Sequence, residues 1–493
     1  MAQEVTLGDV DLASIKIRSL TGTLTLISRS FFIQIISTAG LFLLTVFLGR
    51  PEIGLFIAVN DMVSILGYFS DIGLAASLVQ KKSTVTLSDL RTSFTMQQLL
   101  VLALIGVLLL LLPWLSSYYH ISGSQIWLVY ALLTGFFLAS LKTIPSVILE
   151  RQLRFEILAS VEIIENIIFY FVAVLLAWRG FGVTAYAWAV LLRGLVGTSM
   201  LYLLSPWNIG LEISRPSLKI LLSFGLPYQI NTLLATVKDR FLNIFLWRII
   251  GADGVGIIGW AQSWSQKPLR FIMDNVTKVT FPSFSRLQDH PQELKHGIEK
   301  MLFFISFLTF PIVGGMAVLA PQLVNLIPRY DKWAVALIPL TLYCFNSALA
   351  GVSTPMTSVL NALGKVKINT YLMIMWTVLT WIITPVMAIR FHYLGVAYAT
   401  GIIALTSFVP VLIVRKYIKF DFMSSVLKPG LSTLAMLSVS ILFGSLLPRN
   451  LFFLILNALI SAVSYLVFSY LIIGPVLFND MSRLVHAFTR RKT

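Results

Sequence analysis

The sequence predicts an all-α integral membrane protein of about fourteen transmembrane helices, and three observations carry that prediction. Of the 493 residues, 57% are hydrophobic and only 12% are charged, with a mean hydropathy of +0.86. A soluble domain carries about 25% charged and about 45–50% apolar residues, so the surplus apolar surface must face lipid. The apolar residues fall in continuous runs rather than ten-residue alternations, which favours helices over a membrane barrel. Lysine and arginine, finally, are shared unequally between alternate connectors.

In chain order the runs lie near 21–48, 53–79, 93–115, 125–149, 157–178, 182–204, 219–249, 254–281, 300–320, 334–360, 368–389, 393–414, 429–447 and 451–475. Each is close to the roughly 20 residues that one crossing needs. Short connectors marked by proline, glycine and charge separate them, such as Arg50-Pro51-Glu52 and Asn361-Ala362-Leu363-Gly364-Lys365. The segment 1–20 has no short apolar core followed by a small-residue cleavage site, so the first span is expected to insert as a signal-anchor.

With the N-terminus placed in the cytoplasm, the cytoplasmic connectors hold 22 Lys and Arg, the opposite side holds 7, and 8 lie within spans. This bias predicts both termini inside, in agreement with an even number of crossings. It also accounts for most of the net charge of +16, so no nucleic-acid partner is expected.

A weak internal repeat divides the chain. Gly49-Arg50-Pro51-Glu52-Ile53-Gly54 after span one matches Gly251-Ala252-Asp253-Gly254-Val255-Gly256 after span seven. Gly182-Val183-Thr184-Ala185-Tyr186-Ala187 opens span six, as Gly395-Val396-Ala397-Tyr398-Ala399 opens span twelve. The expected organisation is therefore a cytoplasmic segment 1–20, a first six-helix lobe 21–204, a linker 205–218, a second lobe 219–418, two further helices within 419–476, and a basic cytoplasmic tail 477–493.

Charges within spans cost free energy and mark pathways or ion pairs. They crowd into spans one to eight, whereas spans nine to fourteen have none away from their ends. In span eight Lys267, Arg270, Asp274 and Lys278 follow at intervals of 3, 4 and 4, one helical face, which Gln262, Ser263 and Gln266 extend. The alternative for this face is a snorkelling Lys278 and an Arg270–Asp274 pair. Span seven carries Lys238, Asp239 and Arg240, whose side chains point about 100° apart. The first half adds Arg29, Lys142 and Arg193. The candidate substrate-binding cations are thus Arg29, Lys142, Arg193, Lys238, Arg240, Lys267 and Arg270. Asp61, Glu165, Asp239 and Asp274 are candidates for a coupling ion or for ion pairs, and Glu162 lies near the cytoplasmic end of span five. Surplus positive charge in low dielectric attracts an anion, and arginine suits phosphate by bidentate hydrogen bonding. The pattern points to a carrier of a large, phosphate-bearing anion.

No phosphate-binding glycine loop, zinc motif or CxxC pair occurs, and the five histidines show no ligand spacing. No metal, cofactor or catalytic residue is expected, and the outer connectors are too short for an enzyme's catalytic loop. H⁺ and Na⁺ are the candidate coupling ions. Cys344, the only cysteine, lies in an apolar run and reads as a small core residue.

Several stretches resemble the Wzx-type polysaccharide flippases, the polysaccharide transporter branch of the multidrug/oligosaccharidyl-lipid/polysaccharide (MOP) exporter superfamily. They are Leu48-Gly49-Arg50-Pro51-Glu52-Ile53-Gly54-Leu55-Phe56, Phe69-Ser70-Asp71-Ile72-Gly73-Leu74, Arg151-Gln152-Leu153-Arg154-Phe155, Phe281-Pro282-Ser283-Phe284-Ser285-Arg286-Leu287-Gln288-Asp289 and Ala320-Pro321-Gln322-Leu323-Val324. The resemblance implies a MATE-like fold, with two six-helix lobes around a central cavity plus two C-terminal helices. It implies a carrier in a bacterial inner membrane that flips an undecaprenyl-pyrophosphate-linked oligosaccharide. Its partners would be that polyprenyl-linked oligosaccharide, membrane lipids, a polysaccharide polymerase and glycosyltransferases. A lipid II-type precursor flippase and another exporter of the superfamily are the alternatives. A drug exporter for organic cations should have net acidic spans, which these are not.

Overall fold

The long apolar runs break at Ile72 and Gly73, at Lys142, at Gly251 and at His392. The computed structural model describes residues 12–81, 84–121, 123–448 and 450–474, without the side chains of 12–24, 26–27, 124, 220, 224, 226–239, 275, 278–279 and 281–282. The helices are α1 (Leu12–Phe47), α2 (Arg50–Asp71), α3 (Leu74–Gln80), α4 (Leu87–Tyr119), α5 (Ser124–Leu141), α6 (Thr143–Arg151), α7 (Phe155–Trp178) and α8 (Thr184–Leu204). They continue as α9 (Arg215–Arg286), α10 (Pro291–Leu326), α11 (Leu337–Ala362), α12 (Val366–Ala404), α13 (Phe408–Tyr417), α14 (Lys428–Leu446) and α15 (Leu451–Ile473). Among the described residues there is no extended strand, as the continuous apolar runs predicted.

Twelve helical stretches of the described residues are long and apolar enough to cross a membrane. Two stretches, α9 and Val366–Tyr417, are long enough for two crossings and break inside. α9 has 72 residues and leaves helical geometry at Gly251 (φ 69°, ψ 175°). At 1.5 Å per residue it would extend about 108 Å, against a bilayer core of about 30 Å. The stretch Val366–Tyr417 has 52 residues and breaks at His392 (φ 52°, ψ −134°).

Two predicted spans are each a pair of helices. The run 53–79 breaks between α2 and α3, where Ile72 and Gly73 both take positive φ. There the backbone of Gly73 meets that of Gly225 on α9 so closely that a Cβ on either would collide with the other's carbonyl. The run 125–149 breaks at Lys142, between α5 and α6. Pro145 has no N–H for the carbonyl of Leu141, four residues earlier. The Tyr202 hydroxyl of α8 donates to that carbonyl instead, at 3.0 Å. The same arrangement recurs on α10, where Pro311 withholds its bond from Phe307 and the Tyr465 hydroxyl of α15 donates to the Phe307 carbonyl at 2.8 Å. In lipid no water can satisfy a carbonyl left open by proline, so a neighbouring helix does so.

The chain divides into two compact units between Gly256 and Ile257. In the first, α1 packs along α7, α7 on α8, and α8 on α5, while α2 lies against α4 and α5. Small residues allow these approaches, as at Gly40 against Tyr170 and Gly135 against Val190. In the second, α10 and α11 pack together, α12 and α13 flank α11, and α14 and α15 cover α10. Its core repeats at helical spacing: Leu294, Ile298, Leu302 and Ile305 of α10 meet Val352, Met356 and Val359 of α11. Leu110 and Leu203 are 82% and 80% exposed, far from the apolar cores and suited to lipid contact.

The two matching hexapeptides lie against one another. A Cβ on Gly54 of α2 would strike the carbonyl of Ala252, and a Cβ on Gly256 would strike that of Arg50. Positions 50 and 252, like 54 and 256, correspond in the repeat, so the crossing is reciprocal. Arg50 Nε also pairs with Asp253 Oδ1 at 3.0 Å.

Candidate functional site

The sequence concentrates ionisable groups on α1, α2, α5–α9, and within the first unit the fold joins most of them in pairs. Glu165 faces inward from α7 and is 3% exposed. Lys142, at the α5–α6 break, donates to its Oε1 at 2.5 Å, and Arg193 of α8 reaches its Oε2 at 3.5 Å. The carboxylate has room because position 197 of α8 is glycine: a Cβ there would overlap it. The Arg193 guanidinium also lies 5.8 Å from the centre of the Phe169 ring. Charge and face together hold this arginine beside α7.

Asp61 of α2 is the second centre. Arg240 of α9 donates to its Oδ1 at 2.6 Å, and Asn243 donates to its Oδ2 at 2.8 Å. Asn243 was missing from the sequence candidates. Its position three residues after Arg240 was the available signal, because residues so spaced share a helical face. Arg29 of α1 pairs with Glu162 of α7 at 3.0 Å, and this carboxylate is more exposed than that of Glu165. The structure gives Glu165 to Arg193 and Glu162 to Arg29.

The second half of α9 differs. Arg270 is exposed and donates to Gln266 Oε1 at 2.9 Å, one turn back on the same face. It makes no ion pair among the described residues, and the Arg270–Asp274 pair considered from the sequence is absent there. Asp274 is exposed as well. The Lys267 ammonium lies 5.5 Å from the Trp264 ring centre, a cation–π distance. Gln262, Ser263, Gln266 and Lys267 are half-buried along this stretch. The side chains of Lys238, Asp239 and Lys278 lie outside the described residues. Among the described residues, no group of three or more His, Cys, Asp or Glu is placed to hold a metal ion.

This arrangement has two chemical consequences. Lys142 and Arg193 share Glu165, Arg240 pairs with Asp61 and Arg29 pairs with Glu162, so four cations meet three acids and the pairs tie helices together. The polar face of α9 carries arginine whose charge is not cancelled by a neighbouring carboxylate among the described residues, and it is able to grip an anion bidentately.

A family profile described as polysaccharide biosynthesis protein matches residues 43–338, more than half of the chain. The chain is 22% identical over 364 residues to a membrane protein of the cps region from Klebsiella pneumoniae, covering 72% of this chain and 73% of that one. It is 28% identical over 160 residues to the lipopolysaccharide biosynthesis protein WzxC of Escherichia coli (strain K12), covering 32% of each. It is 24% identical over 306 residues to the teichuronic acid biosynthesis protein TuaB of Bacillus subtilis (strain 168), covering 61% of this chain and 62% of that one. Among solved structures it is similar to the lipid II flippase MurJ in its inward closed conformation, with a TM-score of 0.74, 17% identity, and coverage of 92% of this chain and 99% of that one. It is also similar to an inward-facing MATE family multidrug resistance transporter of the MOP superfamily, with a TM-score of 0.57, 16% identity, and coverage of 78% and 95%. The chain therefore belongs to the polysaccharide biosynthesis protein family, and it shares the fold of the MurJ and MATE structures.

Proposed function

We propose that this protein flips an undecaprenyl-pyrophosphate-linked oligosaccharide from the cytoplasmic to the outer leaflet of a bacterial inner membrane by alternating access. On this reading the chain crosses the bilayer fourteen times, with both termini in the cytoplasm. The twelve apolar stretches become fourteen crossings if α9 and Val366–Tyr417 each count as two. The observation that supports the proposal is Arg270, which is exposed within an apolar stretch, bonded to Gln266 and on the same helical face as Lys267; it would bind the pyrophosphate. Asp274, exposed on the same face, is the candidate for H⁺ or Na⁺ coupling. A potential that is negative inside also favours outward movement of negative charge, by about 2.3 kcal/mol per charge per 100 mV.

The test is complementation of a strain whose surface polysaccharide depends on this protein. Arg270→Ala should abolish the polysaccharide while membrane protein levels stay normal. Wild-type polysaccharide in this variant would overturn the proposal.

A further inference from the structure

Beyond the cationic face, the first unit contains a cavity of about 620 Å³ that the charge pattern did not indicate. That volume is within the roughly 300–1,000 Å³ range of small-molecule sites. Its walls come from three turns and one helix break: the α1–α2, α4–α5 and α7–α8 turns and the break in α9 at Gly251. All four belong to the side that the lysine and arginine count assigns to the outer face. Left-handed backbone shapes the rim, with positive φ at His120, Gly180, Gly182 and Gly251. Gly182 is also required by space, because a Cβ there would strike the Glu52 carboxylate. Glu52 is in turn held by the Gly49 N–H, at 2.6 Å.

Aromatic rings supply much of the lining. Tyr119 stacks on Trp247 at 4.4 Å between ring centres, and Tyr118 and Phe181 complete the set. Arg248 sits over the Tyr118 ring at 5.0 Å. Aromatics at this depth also form the belts that anchor membrane proteins. Belt residues face lipid, as Trp178 does at 62% exposure, whereas Trp247 is 4% exposed. Trp247 is therefore built into the wall of the cavity. Glu52, His120, Gln125 and Arg248 supply the polar side chains of the lining, and Arg248 lies over the Tyr118 ring.

We propose that this cavity is a carbohydrate-binding subsite on the outer end of the first unit, separate from the anion-binding face of α9. A pyranose ring presents C–H bonds on its face and hydroxyls around its edge. The negative face of an aromatic ring attracts those C–H bonds, and the adjacent carboxylate, imidazole and guanidinium accept from or donate to the hydroxyls. The proposal rests on the reading above only in taking the sugar to be part of the transported molecule.

The test uses the full-length protein in lipid nanodiscs and two soluble probes. One is the free oligosaccharide released by mild acid from the lipid carrier of the expressing bacterium, and the other is inorganic pyrophosphate. Saturation-transfer NMR should show the oligosaccharide binding to wild-type protein. Tyr118→Ala and Phe181→Ala, at exposed rings, should each weaken that binding about tenfold, the size of one aromatic contact. Tyr118→Phe should retain it, and pyrophosphate binding should be unchanged in all three. Arg270→Ala should do the reverse, so failure of the anion site is seen separately from failure of the sugar site. Three results would overturn the subsite: no oligosaccharide binding to wild type, equal binding to the alanine variants, or saturation passing only to lipid headgroups.

Discussion

Glu165 has two cations at one buried carboxylate, and its neighbours show what that costs. Removing one partner of a buried pair leaves charge that the interior cannot solvate, at about 3–5 kcal/mol. Glu165→Gln should therefore lower the apparent unfolding free energy in detergent by an amount of that order. Arg270→Gln, at an exposed position, should change it by less than about 0.5 kcal/mol. Thermal or denaturant unfolding of the two variants checks this, and an equal loss in both would show that Arg270 has a structural partner. The sequence identified Glu165, Arg193 and Lys142 as buried charges from hydropathy alone. It did not show that one carboxylate serves both cations, because 23 residues separate Lys142 from Glu165 and 28 separate Glu165 from Arg193. Gly197, whose missing Cβ admits the carboxylate, could not be singled out among 30 glycines.

Helices in this chain are repaired from outside where proline opens them. Pro311 leaves the Phe307 carbonyl without its intrahelical donor, and Tyr465 of α15 supplies one. Tyr465→Phe should cost about 1–3 kcal/mol, the penalty of a buried acceptor left open. In a Pro311→Ala background the backbone N–H returns, and the same substitution should cost less than about 0.5 kcal/mol. Unfolding of the four proteins of this cycle measures the coupling, and additive losses would remove the link between the two residues. Proline positions were visible in the sequence, but the tyrosine is 158 residues away from the carbonyl that it satisfies. The reciprocal glycine contacts at Gly54 and Gly256 belong to this scale too. The matching hexapeptides were legible as a repeat, but nothing in their composition says that the two copies touch.

For the molecule as a whole, the unequal distribution of lysine and arginine predicts an orientation that labelling can check. In a Cys344→Ala background, Asp289→Cys should react with an impermeant maleimide only when the cytoplasmic face is open. Arg179→Cys should react in intact spheroplasts. The reverse pattern would invert the topology and move the aromatic cavity to the cytoplasmic side. The compact units part between Gly256 and Ile257, within α9. The first part of α9 is tied to the first unit by Arg240 on Asp61, by Trp247 on Tyr119 and by Gly225 on Gly73.

The sequence by itself determined the solvent, the helical class and the set of charged positions, because hydropathy and charge are properties of residues and short windows. It also carried the family, through junction motifs that need no tertiary contact to be read. Only the tertiary structure decided which charges cancel, which carbonyls are rescued and where a cavity opens. Those depend on distances between residues far apart in the chain, as with Asp61 and Arg240, 179 positions apart and joined at 2.6 Å. Most of the cations that looked alike in the sequence became helix anchors for that reason, whereas Arg270 makes no ion pair among the described residues.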